Sequence, residues 1–321
     1  MNYIVLDLEW NQSPIGKEGE VESIPFEIIE IGAVKVNEKK EIIGEFSEIV
    51  QPQIYEEIDG NVQRIIHITM EQLKKGRTFP EVIKDFIQWC GDDYIFCTWG
   101  TMDLVELQRN MKYYKITPIA YKPFFYYDVQ KLFSVFFEKE KRVRNLAFAA
   151  EFFHMKQDGE FHTAIADAKY TAKVFQKFDL KKIKKYMEID YFHPPKKRED
   201  EIYITFKSYS KYISMGYSTR ELLLQAKDVK GVVCCICQRR ATKKIDWFSN
   251  SSKNYYGIFL CREHGFLKGK LRVKKADNEK YFAVKTIKII SKEEAIQLKK
   301  HKEDLYKKRQ EKKLHNKANE N

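Results

Sequence analysis

Apolar and polar residues alternate with a period of two through Tyr3–Glu9 (YIVLDLE), which predicts a β-strand. Phe26–Val36 (FEIIEIGAVKV) and Ile42–Val50 read as two more strands, with Asn37-Glu38-Lys39-Lys40 as the turn between them. Beyond them the period lengthens. Thr69-x-x-Gln72 is a capping box for a short helix. Pro80 suits the first turn of a helix running to about Cys90. Tyr94–Thr98 reads as a short buried strand, followed by a helix over roughly 102–113. Phe124–Tyr127 predicts another strand, with Asp128 capping the helix after it, and Asn145–Phe153 and Thr163–Phe178 are apolar at helical spacing. Three strands followed by alternating helices and strands imply an α/β domain, a mixed sheet flanked by helices.

That domain is expected to span 1–190. His193-Pro194-Pro195-Lys196-Lys197-Arg198 carries prolines and charge without periodicity and reads as a linker. Residues 191–230 are thus a linker and a helix over about 218–228, opened by the capping box Ser218-x-x-Glu221. Residues 231–290 are expected to form a small β-rich, zinc-ribbon-like module that binds nucleic acid, and 291–321 a basic tail, helical or disordered. No run approaches the roughly 18 apolar residues of a membrane span. The N-terminus enters a strand directly without a basic leader, so the expected address is cytoplasmic.

Charge divides the chain. The 58 Lys+Arg and 46 Asp+Glu leave a net +12. From residue 196 onward there are 32 basic and 15 acidic residues, a local +17, and residues 1–195 carry a net −5. A basic segment of that size suits nucleic acid, or a solvated face.

The candidate chemistry lies in two places. Asp7 and Glu9 stand two apart on a strand and point to one face. Their neighbours in YIVLDLEW are apolar, and acids on a buried face must be paired or bind a cation. Asp103 falls early in the helix after Tyr94–Thr98, where the helix dipole also favours an acid. His162-x4-Asp167 straddles a helix start, with Asp167 one turn inside and His162 on the loop before it. Converging carboxylates bind hard divalent cations, and a nearby histidine can take a proton from attacking water.

In this order the segments YIVLDLEWN, PFEIIEIGAVKV, IHITMEQLKKGRTFPEVIKDFIQWC, TWGTMDL and HTAIADA resemble the DEDDh 3′→5′ exonucleases, most closely the Eri-type branch that trims RNA 3′ ends. Similar domains occur in sporulation-inhibitor-type bacterial proteins. The resemblance covers roughly the first 180 residues and implies a ribonuclease-H-like fold. It implies that Asp7, Glu9, Asp103 and Asp167 hold two Mg²⁺ or Mn²⁺ ions. Asp7 would bridge them, Glu9 and Asp167 would complete the water-activating site, and Asp103 would serve the second ion. His162 would be the general base. One departure stands out: where the Eri-type pattern has the glycine of T-G-I-T, this chain has His67 in Ile66-His67-Ile68-Thr69. His67, Trp10 and Asn11 are candidate substrate contacts, by stacking or hydrogen bonding. Trp10 and Trp99 have core packing as the alternative, which is favoured for Trp99.

The second place is Cys234-x2-Cys237 with Cys261-x2-His264, two ligand pairs that suit one tetrahedral, structural Zn²⁺. Gly265 suits the tight turn of a knuckle, and Cys235 is a bystander or an alternative ligand one residue out of step. Cys90 and Cys97 read as buried thiols. Arg239, Arg240, Lys243, Lys244, Arg262, Lys268, Lys270, Arg272, Lys274 and Lys275 surround the zinc pattern, with Trp247, Phe248, Tyr255 and Tyr256 interleaved. Cations pair with phosphates and aromatics stack on bases, or the aromatics form the small module's core.

The expected function is metal-dependent 3′→5′ trimming of single-stranded RNA ends, releasing nucleoside 5′-monophosphates, with the zinc module tethering substrate. Two other readings stay open: a DNA 3′→5′ exonuclease of proofreading type, and a non-catalytic RNA-binding regulator on the same scaffold. Protein partners are not legible.

Overall fold

The computed structural model describes residues 1–66, 68–138, 142–155, 163–276 and 279–319, with side chains through 311. The chain divides into two compact units, Met1–Phe192 and His193–Asn321.

The first unit opens with three long antiparallel strands, β1 (Asn2–Asn11), β2 (Glu27–Val36) and β3 (Ile42–Gln51). Two single-turn helices follow, α1 (Gly60–Gln63) and α2 (Met70–Leu73), the second with the expected Thr69/Gln72 capping box. The short β4 (Arg77–Thr78) leads into α3 (Phe79–Cys90), which has Pro80 in its first turn. Then come β5 (Tyr94–Thr98), α4 (Met102–Tyr113), β6 (Phe124–Asp128) and α5 (Val129–Phe136), whose N-cap is Asp128 as expected. The unit ends with α6 (Leu146–Phe152), α7 (Ala164–Phe175), α8 (Leu180–Ile183) and β7 (Glu188–Asp190).

The sheet order is β4-β3-β2-β1-β5-β6-β7. β5 and β6 run parallel to β1, so the sheet is mixed, as its strand pattern predicts. The period-two alternation of β1 sorts its residues onto two cores. Ile4, Leu6 and Leu8 join Phe79, Phe86, Leu104 and Leu107 of α3 and α4. Tyr3 and Val5 join Phe133 of α5 and Phe175 of α7. Burying each such side chain contributes roughly 1.5–3 kcal/mol before entropy is counted. The face of Tyr3 and Val5 is also the face of Asp7 and Glu9, so this packing aims both acids toward α7.

The second unit contains β8 (Ile202–Thr205), β9 (Tyr209–Ile213), α9 (Arg220–Gln225), α10 (Lys227–Lys230), β10 (Thr242–Ser249), β11 (Asn254–Cys261), β12 (Gly265–Lys275), β13 (Tyr281–Ile289) and α11 (Lys292–Asn319). Its strands make one antiparallel sheet in the order β10-β11-β12-β13-β9-β8. Two sequence expectations need correction here. The stretch read as linker holds the β8–β9 hairpin, and β9 pairs with β13 some seventy residues on, a partner no local pattern reveals. The helix expected over 218–228 is two short helices, and its N-cap is Thr219, whose hydroxyl accepts from the Leu222 N–H, not Ser218. The basic tail is helical: Ala295 and Leu298 of α11 pack on Ile258.

Candidate active site and metal centres

Asp7, Glu9 and Asp167 bring carboxylate oxygens within 4.8 Å of one another. The two strand acids converge because β1 alternates. Asp167 arrives because α7 begins at Ala164, with Thr163 as N-cap, and sets the aspartate in its first turn. α7 is held on the sheet by two devices. Gly32, opposite Asp7 in the β1–β2 register, leaves room for the Ala164–Ile165 backbone, and a Cβ there would collide with it. Glu30, opposite Glu9, is buried and accepts hydrogen bonds from the Ala164 and Ile165 N–H groups, which a helix start leaves unsatisfied. Glu30 is absent from the sequence-derived set. Its signal was an acid standing inside the apolar run Ile28-Ile29-Glu30-Ile31.

Asp103 lies in the first turn of α4 and is buried. The β1–β5 pairing ends at Leu6/Thr98, and the Asp103 carboxylate takes up the Leu8 N–H. It stands outside the close trio but shares its field. Burial, then repulsion from Asp103, Asp167, Glu9 and Glu30, raises Asp7 well above the usual carboxylate range. Burial and the charges of Asp167, Glu30 and Asp103 push Glu9 up to about 8. Burial raises Asp103 to about 7 against the backbone N–H groups it accepts from, with Asp128 and Asp167 adding repulsion. A set of acids that resist ionising together is one a divalent cation would relieve, and hard oxygen donors suit Mg²⁺ or Mn²⁺.

The general-base candidate His162 and the loop histidine His67 lie outside the described residues. Asn11, expected to touch substrate, is corrected to a structural residue. It is fully buried, its amide donates to the Glu57 carbonyl at 2.8 Å, and its oxygen accepts from the Asp59 N–H at 3.0 Å. It pins the loop after β3 to the end of β1. Trp10 is half-buried and packs against Phe26, with ring centroids 5.9 Å apart. Trp99 packs on Phe133, the core role favoured for it.

In the second unit, Cys234, Cys237, Cys261 and His264 form the other ligand cluster among the described residues, with ligand atoms again within 4.8 Å of one another. The Cys237 and Cys261 sulfurs are 3.6 Å apart, and Cys261 Sγ lies 3.7 Å from His264 Nδ1. A tetrahedron with Zn–S near 2.3 Å has edges of about 3.8 Å. Burial opposes ionisation of Cys261, but hydrogen bonds from the Glu263 and His264 N–H groups and the His264 ring bring it down to about 6, toward the thiolate a metal needs. Gly265 supplies the knuckle turn at φ 77°. Cys235 is buried and stands outside the cluster, which includes Cys234.

Among curated proteins, the chain is 25% identical to human (Homo sapiens) 3′-5′ exoribonuclease 1 over 169 residues, covering 49% of this chain and 48% of that protein. The rat (Rattus norvegicus) protein of the same name is 24% identical over the same shares. The chain thus spans about half the length of the curated relatives it matches. A crystallographic structure of the nuclease domain of 3′hExo, a DEDDh family member bound to rAMP, is 22% identical with a TM-score of 0.49, covering 59% of this chain and 96% of that one. The model of the exonuclease family (RNase T type) matches residues 4–175, more than half of the chain and every carboxylate of the site, and the protein belongs to that family.

Proposed function

We propose that the protein is a metal-dependent 3′→5′ exoribonuclease that shortens single-stranded RNA and releases nucleoside 5′-monophosphates. The observation that carries this reading is the convergence of Asp7, Glu9 and Asp167 inside the family-matched segment. When bound, two Mg²⁺ or Mn²⁺ ions would activate water and stabilise charge on the leaving 3′ oxygen. The residues that would hold them are Asp7, Glu9 and Asp167, with Asp103 completing the charge of the site. His162, just before α7, would accept the proton of the attacking water. Glu30 and Gly32 seat the α7 start and so fix Asp167.

The second unit, in this reading, binds RNA. Cys234, Cys237, Cys261 and His264 would hold one structural Zn²⁺. The period of β12 buries Leu267, Leu271 and Val273 on one side and presents Lys268, Lys270 and Arg272 on the other. Lys288 of β13 lies directly opposite Lys268. Like charges placed opposite each other destabilise a sheet, so an anion such as the RNA backbone would relieve them. Repulsion is already felt at Lys270, which burial and then Arg272 and Lys268 lower.

No helix among the described residues is long and apolar enough to cross a membrane. The free cysteines, including a cluster suited to zinc, support a reducing compartment, and the address we favour is the cytoplasm.

The test is hydrolysis of a 5′-labelled single-stranded RNA with and without Mn²⁺, beside a DNA of the same sequence. A metal-dependent ladder that shortens from the 3′ end, with 5′-monophosphates released, is expected for RNA. No hydrolysis overturns the assignment, and a clear preference for DNA replaces its substrate.

A further inference from the structure

A cleft of about 360 Å³ lies in the second unit between α9–α10 and the sheet face opposite Lys268 and Lys270. None of its lining residues belongs to the zinc cluster. Leu224 and Leu271 contribute apolar lining, and Trp247 and Tyr255 bring aromatic surface. Both rings are fixed. Trp247 packs across Gly269, where a Cβ would strike its ring, and lies 5.3 Å from Phe259 between centroids. Its Nε1 donates to the Lys230 carbonyl at 3.0 Å. The Tyr255 hydroxyl accepts from Arg220 at 2.6 Å. Rigid aromatic walls of this kind suit a planar ligand, because little side-chain freedom remains to be lost on binding.

The polar groups around the rings divide into spent and unspent. Asp246 is spent: it accepts from the Trp247 N–H at 2.8 Å and from Lys243 at 2.6 Å. Glu221 and Gln225 are unspent, with no side-chain hydrogen bond among the described residues, and both line the cleft. They stand four residues apart on α9, on one face of the helix. Together they offer a two-oxygen acceptor beside an amide donor.

We propose that this cleft is a guanine-binding subsite for single-stranded RNA, a reading that rests on the exoribonuclease assignment above. The Watson–Crick edge of guanine presents two donors, N1–H and the N2 amino group, and one acceptor, O6. The Glu221 carboxylate matches the donors and the Gln225 amide matches O6. Adenine would turn its N1 lone pair toward the carboxylate. Trp247 or Tyr255 would stack on the base, and Lys230 at the lining would meet a phosphate. Lys230 also argues against the other ligand that aromatic rings with a carboxylate can take, an organic cation such as a methylated lysine, because it would repel it.

The test uses the full-length protein without added Mg²⁺ or Mn²⁺, so that binding is read without hydrolysis. Fluorescence anisotropy would compare a labelled twelve-residue oligoadenylate with the same RNA carrying one internal guanine. The guanine RNA is expected to bind about tenfold tighter, the discrimination typical of one well-made base contact. Glu221→Gln should bring that ratio to about one; unchanged zinc content and melting temperature would show that the fold is intact. Equal binding of the two RNAs by the wild type, discrimination that survives Glu221→Gln, or displacement of bound RNA by a trimethyllysine peptide would each overturn the subsite. Shortening of the oligoadenylate in Mn²⁺ is read separately. If it proceeds while the guanine preference is missing, the exonuclease assignment stands and the subsite alone fails. If no RNA is bound or shortened, both fall.

Discussion

Gly32 lies against Ala164 so closely that strand β2 and the first turn of α7 meet backbone to backbone. Asp7 is across the sheet from Gly32, and Asp167 is three residues after Ala164. The packing of one glycine therefore fixes the approach of two carboxylates. Gly32→Ala should force the helix start outward. The cost to stability is expected at about 1–3 kcal/mol, the range of a small overpacking. Activity should fall much further, because a shift of about 1 Å at reacting groups costs on the order of 10²-fold. Melting temperature and Mn²⁺-dependent hydrolysis of RNA, measured where the variant is folded, check this. A variant with wild-type turnover would show that α7 does not set the site.

How much of this was readable in the chain follows from which partners are local. Asp7 and Glu9 could be placed together because strand alternation is a local rule, and Thr69 and Asp128 cap helices through residues three positions away. Glu30 escaped because the groups it holds, Ala164 and Ile165, are more than 130 residues distant. Asn11 was misread for the same reason: its partners Glu57 and Asp59 lie across a loop, and an amide at a strand end resembles a ligand contact when they are unseen. The zinc pattern was legible from spacing alone, whereas the β8–β9 hairpin, joined to β13, was hidden behind a linker-like run of prolines and cations.

Asp7→Ala and Asp167→Ala should each abolish hydrolysis while leaving the metal-free fold as stable as wild type or slightly more so. Each removes one member of a crowded acidic set, so repulsion falls when no cation is present. Turnover and metal-free melting temperature are measured on the same preparations. Full activity in either variant would remove that residue from the site.

The same crowding sets a pH dependence. In the folded, metal-free protein Glu9 holds its proton up to about 8 and Asp103 to about 7, and Asp7 is raised as well. In the unfolded chain such acids release theirs near 4. Between these limits the folded state binds more protons than the unfolded one, so stability must fall as pH rises from about 4.5 to about 8. Bound Mn²⁺ favours the ionised acids and should flatten the decline. Melting curves from pH 5 to 8.5, with and without Mn²⁺, test both halves. A metal-free stability contributed by this unit that rises over the range would contradict the acid cluster.

His162→Ala should lower turnover by about 10²–10⁴-fold, the usual worth of a general base. Mn²⁺ affinity should change little, since a general base acts on the water and not on the ions. Rate against Mn²⁺ concentration separates the two effects: a lower plateau is expected at an unchanged midpoint. A shifted midpoint with a wild-type plateau would make His162 a metal ligand instead.

The last prediction concerns what the second unit supplies. Residues 1–195 carry a net −5 and the remainder a net +17, so the first unit alone should hold a polyanion weakly. Long RNA should therefore bind through the second unit, with the salt dependence of counterion release. Cys261→Ser should remove one thiolate of the Cys/His cluster, and with it the Zn²⁺ that, in the reading proposed above, would fasten β11 and the turn before β12 to the Cys234–Cys237 knuckle. Binding of long RNA should then weaken and its salt slope flatten, while hydrolysis of a dinucleotide, which offers few phosphates to bind, should hold. Comparing the two substrates across salt concentrations, for wild type, Cys261→Ser and a chain ending at Phe192, gives the answer. Equal losses on both lengths would mean that the second unit supports the fold of the first, and the tether would be abandoned.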